Sequence, residues 1–261
     1  MKRFLLISGI ILSMTSAGFP DNLIKRPNVA GQFYTANARQ LSAQIQTFLK
    51  SAPDPDDSGL VEILIVPHAG YKYSGQIAAH AFKYVQEKSY RTVVVIAPSH
   101  HFGLTGISVW EKGGFQTPLG VLSVDQEFAK GLIEKDDRFV FDPRVFEVEH
   151  ALEVELPFIQ EVLPDAAIVP VIMGQADPDL CQRLALSLHE LIGTREDVLI
   201  VISSDMSHFH SAAQARQMDE EAVALIEQLD VETFWNACAS RRLEMCGFIP
   251  VTTALFLARH R

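Results

Sequence analysis

Only three cysteines occur in the 261 residues, Cys181, Cys238 and Cys246. An odd number cannot pair completely within one chain, so a disulfide framework is excluded as the main source of stability, and at least one thiol is left for other chemistry, metal binding included. Basic residues are also short: 22 Lys and Arg against 32 Asp and Glu leave a formal net charge of -10. That argues against a nucleic-acid partner, whose phosphates call for clustered Lys and Arg. No G-x-G-x-x-G, no G-x-x-x-x-G-K-[ST] and no G-x-S-x-G is present, so dinucleotide, P-loop and serine-hydrolase chemistry have no support. No apolar run reaches the roughly 18 residues that a membrane helix requires.

The amino terminus differs from the rest. Met1-Lys2-Arg3 precedes an apolar stretch from Phe4 to Met14 and the small residues Thr15-Ser16-Ala17-Gly18. A basic head, a short apolar segment and a small-residue end form the pattern of a secretory signal. Residues 1–18 are therefore expected to be a signal peptide, cleaved after Ala17 or Gly18, with export to the periplasm or the exterior. An apolar strand or helix docked on the domain is the alternative. With the leader removed, no stable membrane span is expected. The remainder, residues 25–261, has the length and the apolar content of one α/β domain.

What the chain has in abundance is unbroken apolar runs that lead into histidine or aspartate. Ile63 to Val66 runs into His68, Val93 to Ile96 into His100 and His101, and Leu199 to Ile202 into Asp205 and His208. Runs without alternation fit parallel strands buried on both faces, and open α/β sheets hold their ligands beyond the carboxyl ends of such strands. Helical spacing predicts helices over 38–50, from Ser74 onward with Ser74 as a candidate cap and Ile77 on the apolar face, and over 179–192, 212–229, 231–239 and 250–261. Residues 107–110 and 121–124 read as a hairpin excursion, and residues 166–173 as a further strand. Strands alternating with helices predict a three-layer α/β/α sandwich around a mostly parallel or mixed sheet.

Each candidate residue has a plain reading beside its chemical one. His68, in Pro67-His68-Ala69-Gly70-Tyr71, is a loop histidine that the preceding strand turns into a site candidate. His100 and His101 are adjacent, so only one is expected to face the crevice. Asp205 and His208 are three apart, where a carboxylate orients an imidazole, or else Asp205 caps the next helix. Around His150, Glu147, Glu149, Glu153 and Glu155 either raise the imidazole pKa for proton transfer or form an exposed acidic helix start. Cys246-Gly247 is packing unless a metal or cation makes the sulfur a thiolate. Imidazole nitrogens and one sulfur together suit copper, zinc or iron rather than magnesium or calcium, and three such donors leave coordination positions open. Metal-assisted hydrolysis would need zinc and a water near His150 or Glu149.

Six motifs in order, Gly31-Gln32-Phe33-Tyr34, Pro67-His68-Ala69-Gly70-Tyr71, Pro98-Ser99-His100-His101, Glu149-His150, Asp205 with His208, and Cys246-Gly247, resemble those of the Memo family, which includes AmmeMemoRadiSam system protein B of prokaryotes. The resemblance covers residues 25–261. It implies a fold like that of the class III extradiol dioxygenases, with His68, His100 and Cys246 as metal ligands and His150, His208 and Asp205 as catalytic residues in the same pocket. Copper or iron is the implied ion, ahead of zinc, and the implied activity is oxidoreductase-like, on an unknown small molecule or peptide. A non-catalytic module that binds a peptide or an anion on the same fold is the alternative. The extradiol enzymes carry a carboxylate as third ligand where this chain offers a thiol, a change that favours softer metals over ring-cleaving iron.

Overall fold

The computed structural model describes residues 24–56 and 59–261, so the expected leader, residues 1–18, lies outside the described residues. In chain order the elements are β1 (Ile24–Lys25), α1 (Ala38–Ser51), β2 (Ile63–Val66), α2 (Tyr71–Lys83), β3 (Thr92–Pro98), β4 (Ile107–Val109), β5 (Gly114–Thr117), β6 (Gly120–Ser123), α3 (Gln126–Ile133), β7 (Phe139–Val140), α4 (Leu156–Val162), β8 (Ala167–Met173), α5 (Pro178–Ile192), β9 (Val198–Ser203), α6 (Ala212–Glu227), α7 (Val231–Ala239) and α8 (Phe248–Ala258). Two short 3₁₀ turns, Pro143–Phe146 and Glu153–Glu155, interrupt the approach to α4.

Six strands form the central sheet in the order β2-β9-β3-β8-β4-β7. β2, β9, β3 and β8 run parallel, and β4 pairs antiparallel with β8. Every residue of β3 and β9 is buried, as expected of β-branched strands covered on both faces. β2 alternates between buried and half-buried positions because it is the edge strand. One helical layer groups α1, α2 and α4; the other packs α8 against α5, α7 and the inner strands. The architecture is a three-layer α/β/α sandwich with a mixed sheet.

Three local expectations are corrected. The hairpin is formed by β5 and β6, which with β1 make a separate three-stranded sheet; residues 107–109 instead extend the main sheet beside β8. Both segments carry the apolar character of a strand, and nothing local distinguishes their partners. Helix α2 begins at Tyr71, after Gly70 and without a side-chain cap. Ser74 is inside it, its hydroxyl donating to the Ala69 carbonyl at 2.7 Å, and Ile77 is exposed rather than on the buried face. Asp205 caps no helix, because α6 starts at Ala212 behind a capping box built on Ser211 and Gln214.

Candidate metal centre

Three neighbouring strands deliver three candidate residues. β2, β9 and β3 are adjacent and parallel, and just past their carboxyl ends come His68, Asp205 and His100. Cys246 arrives from the far side of the sequence, in the turn between α7 and α8. Gly247 permits that approach: a Cβ there would sit 2.6 Å from the Ser203 carbonyl oxygen and 2.6 Å from the Ser204 Cβ, inside contact distance. His150 comes from the segment before the Glu153–Glu155 turn, its backbone N–H taken up by Glu149 at 2.9 Å.

The donor atoms converge. His68 Nε2 lies 3.2 Å from Cys246 Sγ, and the Asp205 backbone N–H donates to the same sulfur at 3.1 Å. The His68 ring is 5.2 Å from that of His100 and 5.5 Å from that of His150, with His100 and His150 stacked at 4.9 Å. Two groups of three, His68/His100/His150 and His68/Asp205/Cys246, each bring one ligand atom per residue within 4.8 Å of one another, with His68 common to both. Imidazoles and one thiol thus make a candidate metal-binding site beyond the sheet, joined at His68, although the expected set His68, His100 and Cys246 is not itself one of these two groups.

Asp205 does more than flank His208. Its Oδ1 accepts the backbone N–H groups of His68 at 2.8 Å and Ala69 at 3.2 Å, so it clamps the loop that carries His68. Its Oδ2 lies 3.6 Å from His208 Nε2, whose side chain is 44% exposed. His101 is exposed at the rim, 5.7 Å from the His150 ring.

The charges follow from burial and contacts. Burial would push the His100 imidazole down, but hydrogen bonds to Cys246 and Glu149 outweigh it and hold the pKa up at about 10. Glu149 is the converse: burial would raise it, while hydrogen bonds from the His100 ring and the Ala151 and His100 N–H groups hold it at about 2. For Cys246, burial again opposes ionisation, and hydrogen bonds from His100 and His68 lower the thiol to about 6. His150 departs from expectation. The carboxylates do not raise it; burial, reinforced by His100, His68 and His101, lowers it to about 4 against the pull of Glu149.

The acidic cluster is not an exposed helix start either, since Glu149, Glu153 and Glu155 are buried. Glu153 ties down the amino-terminal segment by accepting from the Asn28 N–H, the Val29 N–H and the Tyr34 hydroxyl at 2.6, 3.0 and 2.7 Å. Ser203 is a site residue that sequence reasoning missed, and Glu149, read there beside His150, holds His100 instead. Spacing carried a signal for Glu149 beside His150, but none for Ser203 at the end of an apolar strand.

A groove of about 580 Å³ lined by His208, Cys238, Arg241, Met245, Cys246 and Phe248, among others, opens onto the sulfur side of the centre. A hollow of about 790 Å³ between α1, β6 and α4 contains no histidine or cysteine and is not the site. Among the described residues no helix is long and apolar enough to cross a membrane.

Residues 25–261 match the family described as Memo-like protein. The chain is 33% identical over 252 residues to a MEMO1 family protein of Sulfolobus acidocaldarius, covering 91% of this chain and 88% of the relative. It is 34% identical over 247 residues to one from Caldivirga maquilingensis, covering 90% and 86%, and 32% identical over 246 residues to one from Saccharolobus solfataricus, covering 89% and 87%.

Proposed function

This chain belongs to the Memo-like protein family, and from that premise we propose that it is a metal-dependent, oxidoreductase-like protein whose copper or iron ion is held by His68, His100 and Cys246. The contact between His68 Nε2 and Cys246 Sγ, 3.2 Å, carries the reading. A neutral imidazole nitrogen and a thiolate both present electron pairs, so at that distance a cation belongs between them, either a proton or a metal ion. Soft sulfur with imidazole nitrogen selects transition metals over magnesium and calcium, and three protein donors leave room for substrate. A copper or iron ion bound there would supply electron exchange with that substrate.

The chain's own residues do the rest. Burial keeps His150 neutral at physiological pH, which leaves it free to take a proton inside the cleft. His208, half-exposed at the groove, exchanges protons with solvent, and Asp205 orients both that ring and the His68 loop. As part of the same proposal the leader is removed near Ala17 or Gly18 and the protein is exported. A native amino terminus at Met1 would refute that part.

Metal analysis of protein purified without added metal tests the centre, beside a His68→Ala/Cys246→Ser variant. Copper or iron close to one per chain in the wild type and its loss from the variant is expected; equal contents overturn the proposal. The second reading, peptide or anion binding without turnover, draws on Arg241 and His208 in the groove wall. Metal-free protein that binds ligand unchanged and consumes no oxygen would favour it.

A further inference from the structure

We propose that Glu155 is a positioning residue: a neutral carboxylic acid that donates to Ser203 and, through that hydroxyl, holds His68 with a proton on Nδ1 and with Nε2 turned toward Cys246 in the cleft. The protons around Ser203 require this arrangement. Ser203 Oγ has three close neighbours, His68 Nδ1 at 2.7 Å, the Ala151 carbonyl oxygen at 2.8 Å and Glu155 Oε1 at 2.9 Å. A hydroxyl offers one proton and two lone pairs. The Ala151 oxygen can only accept, so it takes the Ser203 proton. The other two neighbours must then bring protons of their own: His68 donates from Nδ1, and Glu155 donates from a protonated carboxyl group.

The competing assignment fails on burial. If Glu155 were ionised and took the Ser203 proton, the Ala151 and Ser203 oxygens would face each other at 2.8 Å with no proton between them. A fully buried carboxylate would also be left with Oε2 lacking any hydrogen-bond partner, an arrangement that protein interiors avoid unless a cation compensates. Among the described residues no cationic side chain offsets that burial. Burial raises its pKa well above the ordinary value, the Asp205 charge adds to this, and the Ser203 contact opposes it without prevailing.

Fixing a proton on Nδ1 leaves Nε2 as the ring atom facing Cys246, where it shares a proton with the sulfur or gives its lone pair to a metal ion, and such support is the role that carboxylates and carbonyls play behind metal-bound histidines elsewhere. Here a serine relays it, with a carboxylic acid behind the serine. The Glu155 proton and the His68 Nδ1 proton stand on the protein's hydrogen bonds alone; that Nε2 is a metal ligand rests on the function proposed above.

Infrared difference spectra of metal-free wild type against Glu155→Gln, in water and in deuterium oxide, test the first part. A carboxylic-acid carbonyl band at neutral pH that shifts in deuterium oxide and vanishes in the variant is expected, and its absence from the wild type overturns the proposal. Nitrogen-15 spectra of the His68 ring should show Nδ1–H in wild type and in Glu155→Gln, whose amide still donates to Ser203, and mixed tautomers in Glu155→Leu. Copper or iron affinity should be near wild type for Glu155→Gln and weaker by about 10–100-fold for Glu155→Leu. Equal losses in both variants overturn the positioning role. If the wild type binds no metal, the metal reading fails, while the infrared and nitrogen spectra still decide the state of Glu155.

Discussion

Glu149 grips His100 at two points, Oε1 lying 2.9 Å from the ring Nδ1 and Oε2 accepting the backbone N–H at 2.6 Å. The side chain therefore sets both the orientation of the ring and the position of the loop after β3, and it leaves His100 Nε2 for the cleft. Replacing the carboxylate by Glu149→Gln is expected to weaken metal binding by about 10–100-fold, the usual effect of losing a group that supports a ligand. Equilibrium dialysis against copper and iron measures it; unchanged affinity would mean that His100 is not a ligand.

The same pair gives the metal-free protein a pH signature. Glu149 is depressed from 4.5 to about 2, so its stabilisation is complete above pH 4.5 and is lost as pH falls through about 2. His100 is raised from 6.5 to about 10, so its share is complete below pH 6.5 and is lost as pH rises through about 10. The melting-temperature gap between wild type and Glu149→Gln should be widest between pH 4.5 and 6.5 and close on both sides. A gap that grows steadily toward alkaline pH would contradict the assignment.

Cys246 should be the reactive thiol. It is held at about 6 against burial by its imidazole neighbours, whereas burial pushes Cys181 and Cys238 up to about 12. Iodoacetamide at pH 7 is expected to label native, metal-free protein once, at Cys246, and bound metal should suppress the labelling. Peptide mapping that finds Cys238 or Cys181 labelled first would refute this.

Asp205→Ala removes the acceptor for two backbone N–H groups, those of His68 and Ala69. Leaving them unpaired is expected to cost about 1–3 kcal/mol in urea unfolding and to lower metal affinity through disorder of the His68 loop. Asp205→Asn, which keeps one acceptor oxygen, should lose less of both.

Gly247→Ala tests the approach of the carboxyl-terminal segment to the sheet. The added methyl meets the Ser203 carbonyl oxygen and the Ser204 side chain at 2.6 Å, and relief requires Cys246 to move away. A stability loss of about 1–3 kcal/mol is expected from such overpacking, with a Cys246 alkylation profile shifted to higher pH. Wild-type values for both would show that the turn has slack.

The fold class was readable because it depends on local pattern. Val93 to Ile96 and Leu199 to Ile202 carry no alternation, and strands of that kind have to be covered on both faces. Strand partners were less readable: Ile107–Val109 and Gly120–Ser123 have similar apolar character, and only packing sends one to β8 and the other to β5. Ser74 looks like a cap but stands a turn inside α2, its hydroxyl donating back to the Ala69 carbonyl ahead of the helix.

Electrostatic states were the least readable. Carboxylates crowded around His150 in sequence predict a raised imidazole, yet Glu149 is directed mainly at His100 and burial drives His150 the other way. Sequence alone determined which residue types stand at the carboxyl ends of the apolar strands, because that order is covalent. Only tertiary structure decided that a sulfur 178 positions from His68 lies 3.2 Å from its Nε2, and which buried carboxyl group holds a charge or a proton. Those outcomes depend on distance and on exclusion of water, and neither is encoded at any single position in the chain.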